Sequence, residues 1–173
     1  MRVPTLQANR GRALEEMVEL TLDLYRKEGI AVVHKIPTPW VVRRKGGLIT
    51  GAFPAKKSSV DFFGVWRGRA VAFDAKETSE KSRFPLKSVP DHQMAFLSDW
   101  KEAGGIAGVL VWFRRARRIF WVPAKTLTRA REAGKKSLAL DELASGAGVE
   151  IPEGLPLDLE RAWEKESPER KEQ

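Results

Sequence analysis

The chain contains no cysteine and only two histidines, His34 and His92, among 173 residues. The first absence excludes a disulfide framework and a thiolate zinc site. The second leaves too few imidazoles for a histidine-rich metal centre. No run of apolar residues is long enough to read as a membrane span, and no N-terminal stretch reads as a signal peptide, so a cytoplasmic protein is expected. One domain with a single core fits this length and a hydrophobic content of 42%.

Charge is unevenly spread. The net charge is +8, yet residues 141–173 hold ten acids against four bases, a net of −6, which leaves +14 on residues 1–140. A basic body favours a polyanionic partner, nucleic acid above all. A membrane surface is disfavoured, because no basic amphipathic helix with a broad apolar face is evident.

Periodicity predicts a helix over 8–28, where Leu14, Met17, Val18, Thr21, Leu22 and Tyr25 recur at three-to-four spacing. A buried strand follows at Ile30–His34, then an extended Pro37–Pro39 and a short strand Trp40–Val42. Residues 43–58 read as a projecting basic loop or ribbon. Two strands, Val60–Gly64 and Ala72–Glu77, flank the turn Arg67-Gly68. Residues 77–90 read as polar and irregular. A helix at 91–103, a buried strand at 106–113, a basic turn at 114–118 and a return strand at 119–122 complete the sheet. Short helices are expected at 124–133 and 138–144. A nuclease-type body at 1–145 is then followed by a polar acidic tail at 146–173, with its last ten residues disordered. The order of elements suggests one mixed sheet flanked by helices.

The chemistry concentrates in Asp61, Asp74 thirteen positions later, and Lys76 two beyond that. Strand residues i and i+2 share a face, so Asp74 and Lys76 project together, and Asp61 can reach the same spot from the next strand. Two carboxylates beside one lysine suit a divalent cation for phosphodiester cleavage. Solvated hairpin charges are the alternative, but Asp74 follows Val71-Ala72-Phe73, where an unpaired charge is costly. Glu15 borders the apolar face of the first helix. Gln93 shares an inward face with Leu97 and Trp100, whereas His92 faces away. Glu77 points opposite to Lys76 and is expected to support the site from behind or to form a salt bridge, rather than to bind metal directly. Trp40 and Trp66 are expected as core or strand-pair residues, with base stacking as the alternative. The arginines at 114, 115, 117 and 118 suit phosphate contacts or a solvated turn.

Further runs carry a resemblance: Asn9-Arg10-Gly11 before Leu14-Glu15, Lys35-Ile36-Pro37-Thr38-Pro39, Phe73-Asp74-Ala75-Lys76-Glu77-Thr78, Phe84-Pro85-Leu86-Lys87, and His92-Gln93. In this order they resemble the RecU family of bacterial Holliday junction resolvases, within the PD-(D/E)XK nucleases, from about residue 9 to 125. The resemblance implies an α/β, restriction-endonuclease-like mixed sheet flanked by helices, with a projecting basic stalk. It also implies a homodimeric endonuclease, dependent on Mg²⁺ or Mn²⁺, that cuts four-way DNA junctions symmetrically in recombination and repair.

By motif, Asp61 and Asp74 match the metal-binding acids, although the family commonly has glutamate at the second. Lys76 matches the catalytic lysine, Gln93 the glutamine near the metal, and Glu15 the first-helix acid. Arg10, the stalk cations Arg43, Arg44, Lys45, Lys56 and Lys57, and the turn residues Arg114 and Arg115 are the candidate DNA contacts. The stalk is a few residues shorter than the family's, and the acidic tail has no evident counterpart. The nucleoid is the expected place of work, with recombinase and branch-migration proteins as further candidate partners. Two rival readings are a nuclease of the same chemistry acting on flaps or mismatches, and a noncatalytic DNA-binding modulator of recombination. The latter gains nothing from acids that repel phosphate.

Overall fold

The structure is a computed structural model that describes residues 12–37, 39–54 and 59–167. Its first helix, α1 (Arg12–Lys27), buries Leu14, Val18, Thr21, Leu22 and Tyr25 of the predicted stripe and leaves Met17 half-buried at its border. Among the described residues, the strands β1 (Ala31–Lys35), β2 (Trp40–Lys45), β3 (Leu48–Pro54), β4 (Phe62–Trp66), β5 (Arg69–Thr78) and β6 (Arg83–Pro85) precede a second helix, α2 (Asp91–Glu102), and β7 (Ile106–Phe113) and β8 (Arg118–Pro123) follow it, with β9 (Ser137–Ala139) after a third helix, α3 (Ala124–Glu132). The chain ends its described course with the one-turn α4 (Leu140–Glu142), the strand β10 (Val149–Ile151) and the helix α5 (Leu159–Glu166).

Six strands form the main sheet in the order β1-β4-β5-β7-β8-β10. Only β5 and β7 run parallel, and every other neighbouring pair is antiparallel. The mixed sheet flanked by helices is the architecture expected from the order of elements. Among the described residues no helix is long and apolar enough to cross a membrane.

Alternation along β5 sends Phe73 and Ala75 into one core layer, under α1 and α5, and Ala72 into the other, against Met94 and Leu97 of α2 and Leu127 of α3. Asp74 and Lys76 therefore belong to the α2–α3 side of the sheet. The β4–β5 turn is Arg67-Gly68, both with positive φ (46° and 77°), as a two-residue hairpin with right-handed twist requires. That turn fixes the register Phe62↔Phe73 and so leaves Asp61 beside Asp74.

Two expectations are corrected here. Residues 77–90 are not irregular: β5 continues to Thr78, β6 pairs with β9, and a 3₁₀ turn follows at Leu86–Ser88. Phe84, Leu86 and Val89 are buried. The predicted helix at 138–144 splits into β9, α4 and a turn that continues to Ala147.

The segment from residue 146 is more than a polar tail. β10 closes the sheet against β8, and Leu157, Leu159, Ala162 and Trp163 are buried. Trp163 meets Tyr25, Trp66, Phe73 and Trp121 at centroid distances of 6.2, 5.8, 6.1 and 6.5 Å. Tyr25 Oη donates to the Leu157 carbonyl at 2.9 Å and accepts from Leu159 N at 3.1 Å. Four acids of this segment pair with the basic body. Glu150 takes both arms of Arg118 at 2.7 Å, Glu153 takes Arg117 at 3.2 Å, Glu160 takes Arg67 at 2.8 Å, and Glu166 takes Lys101 at 2.9 Å. The division expected at 145 is therefore no boundary in packing. Of the last ten residues, 164–166 complete α5, and 168–173 lie outside the described residues.

Candidate active site

Asp61 immediately precedes β4, and Asp74 sits in the middle of β5 with its side chain fully buried. The two acids hold each other through the backbone. Asp61 N donates to Asp74 Oδ1 at 3.0 Å, and Ala75 N donates to Asp61 Oδ2 at 3.2 Å. Both carboxylates are thus fixed in place on adjoining strands. The Lys76 ammonium forms an ion pair with Asp74 Oδ2 and remains partly open to solvent. Apart from that ion pair, the same oxygen is buried and has no hydrogen-bond partner among the described residues. The convergence predicted from period-two alternation is the arrangement found.

The electrostatics leave this cluster short of positive charge. Burial, then the hydrogen bond and the negative charge of Asp74, push the Asp61 carboxyl up to about 7, against the opposing pull of Lys76 and the Ala75 N–H. Two carboxylates this close resist carrying two full negative charges, and one lysine neutralises only one of them. Gln93, in the first turn of α2 on the same side of the sheet, is buried, and its Oε1 has no hydrogen-bond partner. Two carboxylates and an orphaned amide oxygen are hard oxygen donors, the ligand type that Mg²⁺ and Mn²⁺ prefer. Among the described residues no group of three or more His, Cys, Asp or Glu stands ready to hold a metal alone. The donor set fits a cation that keeps several of its waters.

Glu15 is placed differently. Its helix belongs to the opposite layer, and its Oε2 takes Lys35 Nζ at 2.7 Å, with Glu19 sharing the same ammonium at 2.5 Å. Burial works against the Lys35 charge, but the two glutamates outweigh it and raise its pKa. Among the described residues, no hydrogen bond or ion pair joins Glu15 to the Asp61–Asp74–Lys76 cluster. The link is indirect: Lys35 ends β1, and the next residue, Ile36, donates its N–H to the Asp61 carbonyl at 2.7 Å. Lys35 was missed by sequence reasoning, although Glu15 and Glu19 at i and i+4 signal an acidic pair awaiting a cation.

Glu77 makes the expected salt bridge, to Arg114 at 3.5 Å. It also accepts the Leu14 N–H in the first turn of α1 at 2.9 Å, a helix-terminal bond that spans 63 residues. His92 is exposed, as expected. Trp66 is a core residue and donates to Glu160 at 2.8 Å, whereas Trp40 stands exposed on β2. Of the candidate DNA contacts, Arg114 is held by Glu77 and lies 5.6 Å from the centroid of the Trp112 ring. Arg115, Arg44 and Lys45 are exposed, and Arg43 lies 5.3 Å from the centroid of the Phe53 ring. Arg10, Lys56 and Lys57 lie outside the described residues.

Residues 9–161 match the RecU family, described as recombination protein U. A protein of Leuconostoc citreum (strain KM20) named Holliday junction resolvase RecU is 35% identical over 159 residues, which cover 87% of this chain and 77% of that one. A protein of the same name from Geobacillus sp. (strain WCH70) is 35% identical over 145 residues, covering 78% and 72%. In overall shape the chain is similar, at a TM-score of 0.47 and 17% identity, to the Holliday junction resolvase Hjc of Archaeoglobus fulgidus, over 81% of this chain and 95% of that one. With the family matched over most of its length, the chain belongs to the RecU family.

Proposed function

We propose that this chain is a divalent-metal-dependent endonuclease that resolves four-way DNA junctions by phosphodiester hydrolysis in the nucleoid. One observation carries the reading: two mutually braced carboxylates, Asp74 buried and Asp61 half-buried, converge beside a single lysine that pairs with Asp74. The relatives' name, Holliday junction resolvase, supports the choice of substrate.

Asp61, Asp74 and the Gln93 amide oxygen would hold Mg²⁺ or Mn²⁺. When bound, the cation supplies Lewis-acid activation of water and neutralises charge on the scissile phosphate. Asp74 anchors the Lys76 ammonium at the edge of the buried cluster. Its positive charge is then fixed where the phosphate gains negative charge as the water oxygen joins phosphorus and the ester oxygen leaves. Glu15 acts through Lys35 to hold the chain that positions Asp61, which makes it a positioning residue. Asp74 being one methylene shorter than the family's usual glutamate is offset by its place in mid-strand, where the backbone of the adjoining strand comes to it.

Lys76→Ala is expected to lower the single-turnover cleavage rate by about 10²–10³, the cost of removing one preorganised electrostatic stabiliser. Lys81→Ala, an exposed cation just past β5, should leave the rate within a few-fold. Equal losses in both would mean that general basicity, not position, drives cleavage.

Symmetric cutting requires two sites at a fixed separation, and the reading extends to a homodimer. Val32, Phe63 and Val65 are 51, 45 and 49% exposed, and the rungs Val32↔Val65 and Val65↔Ala70 place them with Ala70 on one face of β1, β4 and β5. This is the side of Asp74, where α2 and α3 cover the other half of the sheet. An apolar face of this kind next to the site is the proposed dimer surface. Val65→Glu should convert a dimer to a monomer by sedimentation. A variant that remains fully dimeric would place the interface elsewhere.

A further inference from the structure

A second basic feature lies on the α2–α3 side, outside the carboxylate cluster and apart from the cations named above as candidate DNA contacts. A groove of about 620 Å³ runs between the β6–α2 connection and the C-terminal end of α3, lined by Lys87, Asp91, Arg131, Lys135 and Lys136. It is built rather than incidental. Arg131 Nη2 donates to the carbonyls of Leu86 at 3.0 Å and Val89 at 2.7 Å, and its Nη1 meets Asp91 at 2.6 Å. The end of α3 is thereby fastened to the chain that enters α2. Leu86 N donates to the Lys136 carbonyl at 2.9 Å, which brings the backbone at Lys136 beside the residue that precedes Lys87. Arg83, three residues further out, reaches Ser137 Oγ at 3.3 Å and extends the row.

The charge balance decides what the groove suits. Asp91 is spent on Arg131, and Lys135 is paired with Glu142 at 2.5 Å. Lys87 and Lys136 are exposed and have no ion pair among the described residues. Two cations without an ion pair on a braced edge suit a row of phosphates rather than a peptide, which would need an acidic sequence. The groove borders the first turn of α2, the helix that carries Gln93. Asp91 lines it, and Gln93 lies two residues along the first turn of α2.

We propose that this groove seats the phosphodiester backbone of a duplex arm leading away from the scissile phosphate, with Lys87 and Lys136 as the phosphate contacts and Arg131 as the brace that shapes it. The proposal rests on the reading that the chain acts on branched DNA. Phosphate contacts position the duplex without reading its sequence, so the groove should serve any arm sequence equally.

The test is salt-dependent binding of a plain duplex of arm length, without divalent metal, to the full chain and to two double variants. Lys87→Ala with Lys136→Ala should reduce the slope of log K against log salt by about 1.8, close to 0.9 for each lost contact, and weaken binding by at least roughly tenfold at 0.1 M salt. Lys27→Ala with Lys165→Ala, exposed cations on α1 and α5 across the sheet, should leave the slope unchanged. An unchanged slope in the groove variant, or an equal fall in both, overturns the groove. Cleavage of a four-way junction by the wild-type chain is scored separately. Its failure would sink the resolvase reading, while duplex binding would still decide the groove.

Discussion

Asp74→Asn should leave the protein folded and bound to four-way junctions but unable to cut them. Asparagine keeps the shape of the side chain, and its amide oxygen can still accept the Asp61 N–H that Asp74 Oδ1 accepts at 3.0 Å. What it removes is one of the two negative charges that would hold a divalent cation, and the anionic partner of Lys76. Cleavage should fall by several orders of magnitude. Junction affinity in the absence of metal should hold or improve, because a negative charge has left the neighbourhood of the phosphate. A second reading separates metal loss from misfolding. Mg²⁺ at about one hundred times its dissociation constant should stabilise the wild type by roughly 2.7 kcal/mol and the variant hardly at all. Asp61→Ala should reach the same endpoint by another route, since it also frees the Ala75 N–H. Near wild-type cleavage in either variant would falsify the carboxylate site.

The parts of this site that local rules determine were legible in the sequence. The same-face placement of Asp74 and Lys76 follows from a strand's period of two, and the inward Gln93 from a helix's period of 3.6. The turn at Arg67-Gly68 then brings Asp61 alongside. What escaped depends on partners distant in the chain. Phe84, Leu86 and Val89 look like scattered apolar residues in a polar stretch until β9 pairs with β6 more than fifty residues later. Leu157, Leu159, Ala162 and Trp163 are few among Pro, Gly and Glu, so composition reads polar. Yet Trp163 fills a gap bounded by Tyr25, Trp66, Phe73 and Trp121, which no local pattern records. The acids of the same segment read as a tail because their arginine partners sit thirty or more residues upstream. Glu15 illustrates a subtler miss. Periodicity placed it correctly at the border of the helix's apolar face, but the cation it meets is Lys35, and its influence on Asp61 passes through the backbone of Ile36.

Deleting the β2–β3 hairpin should remove the preference for junctions while sparing the nuclease body. The two strands pair only with each other and add no rung to the six-stranded sheet. Their tip, Gly46-Gly47, has φ of 57° and 82°, the left-handed geometry of a tight hairpin, and a bulge between Arg43 and Arg44 adds local twist. A two-stranded ribbon is marginal in water by itself. This one also exposes Trp40, Leu48 and Ile49 beside Arg43, Arg44 and Lys45, a combination suited to an unstacked, phosphate-lined cavity rather than to solvent. Trp40 and Pro54 face each other across the base of the hairpin, so a short Gly-Ser turn in place of residues 41–53 closes the chain without stretching it. The shortened protein should melt within a few degrees of the wild type. At one fixed salt concentration its binding to four-way junctions should drop to the level of duplex binding. The duplex affinity that remains should keep a steep salt dependence from the rest of the basic body. Were the shortened protein still to prefer junctions over duplex, selectivity would have to reside in the spacing of two active sites across the dimer, and the hairpin would be reduced to an accessory contact.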